Sequence, residues 1–171
     1  PHGRLRHILR SLSQWHERWA FCGASAAVVH GLDCSYRQLH PIHVAVGRNS
    51  RPRNQRYVRF HVLDDAETVA VDGARVTSIL RTLVDCAAMM PRRYAMAPID
   101  SALRQGKTTV EQMLEYVDAI PMLRDRERIR AVLAQGDGRV ENGGESECRA
   151  VLDELGFPVH RVQVEFPCLS H

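Results

Sequence analysis

Residues 68–89 read TVAVDGARVTSILRTLVDCAAM. Val69 and Val71 alternate as a strand, Asp72-Gly73 makes a turn, and Val76 resumes the apolar pattern. Asp-Gly between two such runs predicts a β-hairpin with a type I′ turn, which needs positive φ at both central residues. Thr77 or Ser78 then follows as a helix cap, accepting from an orphan backbone N–H. Beyond it, Ile79, Leu80, Leu83, Val84 and Ala87 fall at helical spacing, and Pro91 ends the run. Arg81 and Asp85, four apart on that helix, are in reach of each other. A hairpin feeding a buried helix is the nucleus of a small α+β domain.

Upstream, RLRHILRSLSQWHER (4–18) places Leu5, Ile8, Leu9, Leu12 and Trp15 on one helical face. A short strand at 20–22 and a helix from Ser25 to His30, stopped by Gly31, come next. His30 is placed to complement that helix's C-terminus as a protonated imidazole. Residues 42–46 and 57–63 read as strands, so 42–76 forms a small, mostly antiparallel sheet flanked by helices. Downstream are helices at 92–104, with Pro98 inside and expected to kink or split it, at 110–120 behind a capping box at Thr108–Glu111, and at 124–135. GDGRVENGG (136–144) has linker composition, and a helix (145–155) and a strand (160–166) close the chain as a partial α/β element. The domains expected are thus 1–135, a linker at 136–144, and 145–171.

The chain of 171 residues is 44% hydrophobic, enough for a packed core. With no bilayer-length apolar run and no signal-peptide pattern, it reads as soluble and cytoplasmic, without membrane association. Its five cysteines form no CxxC pair, the pattern of reduced, partly buried thiols. Charge is segregated: residues 1–60 hold ten arginines against Glu17 and Asp33, a balance of +8. Residues 61–171 hold 13 basic and 18 acidic side chains, a balance of −5. A genome-wide preference for Arg over Lys accounts for the choice of cation but not for the segregation, which points to a polyanionic partner.

The densest basic stretch is GRNSRPRNQR (47–56), with Arg48, Arg51, Arg53 and Arg56, one proline and no acid. Arginines grip phosphate bidentately and release counterions, so these four are the candidate nucleic-acid contacts. The alternative is a solvated hairpin loop, since no aromatic residue interleaves with them. Arg81/Asp85 and Asp100/Arg104 repeat one i,i+4 arrangement of opposite charge on successive helices; cross-bracing of the two helices is favoured over a polar reaction site, because carboxylates held by Arg are poor bases. His30, Cys34, His40 and His43 match no common zinc-ligand spacing, so neither a metal nor a cofactor is expected. Trp15, Trp19, Phe21 and Tyr36 read as core packing around a first helix rather than as a base-stacking platform.

SAAVVHGL (25–32), the hairpin with VTSILRTLVD (76–85), and DSALRQG (100–106) together resemble AbiEi-type antitoxins and their actinobacterial relatives over roughly residues 20–166. The resemblance implies a central α+β region preceded by a winged helix and followed by a Vsr-like (PD-(D/E)XK-type) nuclease fold. GGESECRAVLDELGF and VHRVQVEF are similar to the opening of that fold, with Glu145 matching its helix glutamate. The remaining Mg²⁺-holding carboxylates would lie past His171, so Glu145 alone cannot support hydrolysis. The function implied is that of a non-catalytic, DNA-associated regulator or antitoxin, with DNA and a nucleotidyltransferase-type toxin as partners and self-association open. The alternatives are a Mg-dependent endonuclease whose active-site portion is missing from this chain, and a protein-interaction module without nucleic acid.

Overall fold

A computed structural model describes residues 2–50, 52–63 and 67–157. The order is α1 (His2–Trp15), β1 (Ala20–Phe21), α2 (Gly23–Val29), a 3₁₀ turn (Tyr36–Gln38), β2 (Ile42–Val46), β3 (Val58–Val62), β4 (Thr68–Val71), β5 (Ala74–Thr77), α3 (Ile79–Met89), α4 (Arg92–Arg104), α5 (Val110–Ala119), α6 (Arg126–Leu133) and α7 (Gly143–Glu154). This is an α+β architecture, one open sheet with helices packed on it. The strand expected at 160–166 lies outside the described residues.

The hairpin forms as its sequence dictates. Asp72 and Gly73 take φ of 57° and 77°, and β4 pairs antiparallel with β5 from Thr68↔Thr77 to Val71↔Ala74. Ser78 Oγ then accepts from the Arg81 amide and starts α3. The helix is buried almost all round, Leu83, Val84, Cys86 and Ala87 being fully enclosed.

The sheet order is β3-β2-β1-β5-β4, and its pairing is mixed rather than mostly antiparallel. β1 runs antiparallel to β2 but parallel to β5, and β2 runs parallel to β3 over all five residues, from Ile42↔Val58 to Val46↔Val62. Residues 47–57 are therefore a crossover that carries the chain back along the sheet, not a hairpin loop; its eleven residues are near the minimum for such a return. Phe21, Val44 and Val76 point into the core shared with the helices. One position away, Ala20, Cys22 and Ala45 form a separate small cluster with Leu63 and Met89, as strand alternation requires.

Three local expectations change. α4 is not split at Pro98 but runs from Arg92 to Arg104: one lost backbone bond is outweighed by burial of Ala95, Met96, Ile99 and Ala102 on either side. α1 fully buries Leu5 and Leu9 and packs Leu12 against the core, leaving Trp15 80% exposed and Ile8, with Tyr36 of the 3₁₀ turn, outward-facing; the helix packs beside α2 and β5, with Trp15 beyond the core. The capping box of α5 is Thr109 with Gln112, one residue on from the expected pair.

Residues 136–142, of linker composition, are fastened to α4. Gly136 sits where a Cβ would lie 2.7 Å from Leu103 and 2.8 Å from Ile99, the Asp137 amide donates to Asp100 Oδ1 at 2.7 Å, and Arg104 donates to the Val140 carbonyl at 2.8 Å. α7 then packs along α4. Arg92 from α4 donates to the Ala150 carbonyl and pairs with Asp153. No helix among the described residues is long and apolar enough to cross a membrane.

Candidate polyanion-binding surface and the internal arginine network

The crossover from β2 to β3 carries the basic stretch. Arg48, Arg53 and Arg56 are exposed on it, and Arg51 lies outside the described residues. The crossover is tied back at its end: Asn54 Oδ1 accepts from the Phe60 amide at 2.9 Å, and the Gln55 amide donates to the Val58 carbonyl at 2.9 Å. Arg56 lies over the exposed Tyr57 ring at 5.1 Å, an aromatic neighbour just past the stretch. Arg59, the second residue of β3, is also exposed. Among the described residues, Arg18, Arg53 and Arg59 have no hydrogen-bond or ion-pair partner.

Beside Arg59 the structure places a pair that sequence reading missed. His43 Nδ1 and His61 Nε2 are 2.8 Å apart, with ring centroids at 5.0 Å and 16° between planes. A contact between two ring nitrogens requires that one carry the proton and the other accept it. Burial pushes His43 down to about 4, helped by the fields of His61 and Arg59; burial and then Arg59 lower His61 as well. Both rings are neutral near pH 7. Only the parallel register of β2 and β3 brings the two together, and no local pattern encodes that register.

The four residues of the repeated charge arrangement do not brace each other. Arg81 Nε donates to Asp85 Oδ1 at 2.9 Å within α3, and both side chains are buried. Burial pushes the Asp85 carboxyl up to about 6 against the opposing pull of Arg81, and its Oδ2 is buried without a hydrogen-bond partner. The expected Asp100–Arg104 pair is absent: Asp100, fully buried between α4 and α7, accepts from Arg149 at 2.8 Å and from the Asp137 amide. Arg104, at the end of α4, instead reaches Asp33 Oδ2 at 2.8 Å. Burial raises Asp100 as well, opposed first by the Asp137 amide and then by Arg149. Each partner lies far away in the chain, outside any i,i+4 reading.

The histidines and cysteines near 30–43 disperse. His30 Nε2 donates to the Thr77 carbonyl at 2.8 Å, and burial lowers its pKa, so it is a neutral tether to β5 and not a charged cap. The α2 C-terminus is closed by other cations: Arg6 donates to the Val28 carbonyl at 2.9 and 3.2 Å, and Lys107 to the His30 carbonyl. Cys34 is enclosed, its thiol pushed up to about 12 by burial; Cys22 and Cys86 are likewise buried and shifted upward by burial, which leaves these thiols unreactive. Among the described residues no three His, Cys, Asp or Glu side chains converge as metal ligands would. Glu145 Oε2 accepts from the Glu141 amide at 3.0 Å, beside the Asn142 cap, at the start of α7. Phe21 is in the core and Trp19 half-buried, stacked on His16 at 3.9 Å and edge-on to Phe60 at 5.5 Å, whereas Trp15 and Tyr36 project outward.

Comparison with known proteins gives this architecture its relatives. Two curated Mycobacterium tuberculosis proteins, "Uncharacterized protein MT2308" of strain CDC 1551 / Oshkosh and "Uncharacterized protein Rv2248" of strain H37Rv, are each 29% identical over 154 residues, covering 88% of this chain and 54% of their own length. The chain thus spans about half the length of the curated relatives it matches. The family model described as "AbiEi antitoxin C-terminal domain" matches residues 19–135, from the residue before β1 to the end of α6, which includes the buried Arg81–Asp85 helix and the basic crossover. Since that match takes in most of the chain, the protein belongs to the AbiEi antitoxin C-terminal domain family.

Proposed function

We propose that the chain is a non-catalytic, DNA-associated regulatory module of a toxin–antitoxin system. In this reading Arg48, Arg51, Arg53 and Arg56, with Arg59 beside them, hold DNA phosphates, and the helical layer faces a toxin. The observation that carries it is the division of labour among arginines. Arg81, Arg92, Arg104, Arg126, Arg128 and Arg149 of the helical layer bond to groups of the protein itself, while Arg48, Arg53 and Arg56 of the β2–β3 crossover are exposed on a segment that holds no acidic residue. Each phosphate neutralised releases condensed counterions, so affinity falls steeply with salt.

Gel-shift titration at two salt concentrations tests the reading. Arg51→Ala with Arg53→Ala is expected to weaken DNA binding and to reduce the slope of log K against log salt by about 2, at roughly 0.9 per phosphate contact on duplex DNA. An unchanged affinity and slope would remove the crossover from the interface.

A further inference from the structure

A cleft of about 480 Å³ opens where β1 and β2 leave the helix-packed core, between the Arg18–Trp19 approach to β1 and the start of the crossover at Gly47. Its floor follows from the pairing. Ala45 lies opposite Ala20, and Phe21 opposite Val76, which sets Ala20 beside Arg75 in the parallel pair. Short side chains at the centre leave a depression bounded by Leu63, Thr68 and Arg75.

The walls point to a ligand class. Arg75 Nε donates to Thr68 Oγ1 at 3.1 Å, which fixes the plane of the guanidinium and leaves its terminal nitrogens for a second acceptor. Arg18, exposed and without a hydrogen-bond partner, lines the same cleft, and no acidic side chain lines it among the described residues. Two guanidinium groups beside a floor of short apolar side chains are the donors a bound anion needs, and the volume is that of a small-ligand site. We propose that this cleft binds a phosphorylated ligand of mononucleotide size, the phosphate held by Arg18 and Arg75 and the base resting on Ala20, Ala45 and Leu63. The ligand is a free nucleotide or one unpaired nucleotide of a strand; the chemistry is shared. Ser50 and Pro52 of the crossover form part of the wall, but the proposal rests on Arg18 and Arg75 and not on the crossover arginines.

Trp19 lines the cleft, so its emission reports occupancy in a Trp15→Phe background, where the exposed second tryptophan is removed. The full chain is titrated with deoxyadenosine monophosphate, with deoxyadenosine, and with a short single-stranded oligonucleotide. The expected result is saturable quenching by the monophosphate, weaker by about tenfold or more for the nucleoside and for Arg75→Gln and Arg18→Gln, as loss of a charge-assisted hydrogen bond implies. Quenching by the oligonucleotide alone, abolished by Arg75→Gln, would support the site and assign its source to a strand. No saturable change with either phosphorylated probe, equal response to the nucleoside, or indifference to both substitutions would overturn it. Arg53→Ala on the crossover separates the two readings: it leaves Trp19 quenching unaltered while weakening duplex binding in the gel shift.

Discussion

In the helical layer, several guanidinium groups turn inward. Arg126 donates to the Val117, Asp118 and Ile120 carbonyls, Arg128 to those of Ala87 and Ala88, and Arg149 to Gln135 and Asp100. On the sheet and its approaches, Arg18, Arg53 and Arg59 find no such partner among the described residues, and Arg75 uses one nitrogen on Thr68. The residue type is the same; the surroundings differ. Helix ends leave carbonyls without partners, and a planar donor fork satisfies two or three of them at once. On a crossover without acids, Arg48, Arg53 and Arg56 stay exposed, and their field is directed outward. An arginine-rich composition is therefore no measure of affinity for polyanions until its internal uses are subtracted.

Breaking the inward half should cost the most. Arg149→Ala strands the fully buried Asp100 carboxylate and is expected to lower unfolding free energy by about 3–5 kcal/mol, read as a shift of the urea midpoint at constant slope; Arg53→Ala, by contrast, should stay within about 0.5 kcal/mol of the parent. Asp85→Asn leaves Arg81 without its carboxylate and should cost about 3 kcal/mol, whereas Arg81→Met with Asp85→Leu should recover most of that loss. If the double replacement is as damaging as the single one, the pair does more than neutralise itself.

Acid sharpens the contrast at smaller scale. His43 titrates near 4 in the fold against an ordinary 6.5. Between those values the unfolded chain holds more protons, so this contribution is complete above 6.5 and is lost as pH falls through 4. Asp85 runs the other way: raised from 3.8 to about 6, its carboxyl favours the fold most below 3.8 and loses that advantage as pH rises through 6. The two windows overlap between about 4 and 6 and their slopes oppose each other there, so His43→Leu should make the unfolding midpoint rise less, or fall more, with pH across that range, and Asp85→Asn should make it rise more. The smallest effect belongs to Trp15→Phe, expected within about 0.5 kcal/mol because the ring is 80% exposed.

Much of the fold was legible wherever a local rule applies. Asp72-Gly73 fixed the hairpin, Ser78 the start of α3, and the i,i+4 spacing the Arg81–Asp85 contact. The parallel pairing of β2 with β3 was not, because a crossover of that length suits either orientation; the His43–His61 contact went unseen for the same reason. Arg104 illustrates the other limit. Its spacing from Asp100 suggested a local pair, but Asp33 and the Val140 carbonyl, both distant in sequence, were better placed. Pro98 and Trp15 misled in opposite senses: packing kept a proline inside a helix, and the end of the core left a tryptophan outside. The candidate surface was readable as a cluster of charge, but the cleft at Ala20, Ala45 and Arg75 arises only once three strands lie side by side.

β3 borders the sheet, and the amide of Phe60, which would otherwise project from that border, is capped by Asn54 from the preceding crossover. A strand from another copy arriving there would find a rung of the ladder already occupied. The chain thus guards one margin of its sheet against self-templated stacking with the Asn54 side chain and the Gln55 backbone, which occupies Val58, and Asn54→Leu should reveal this as faster fibril or precipitate growth on prolonged incubation.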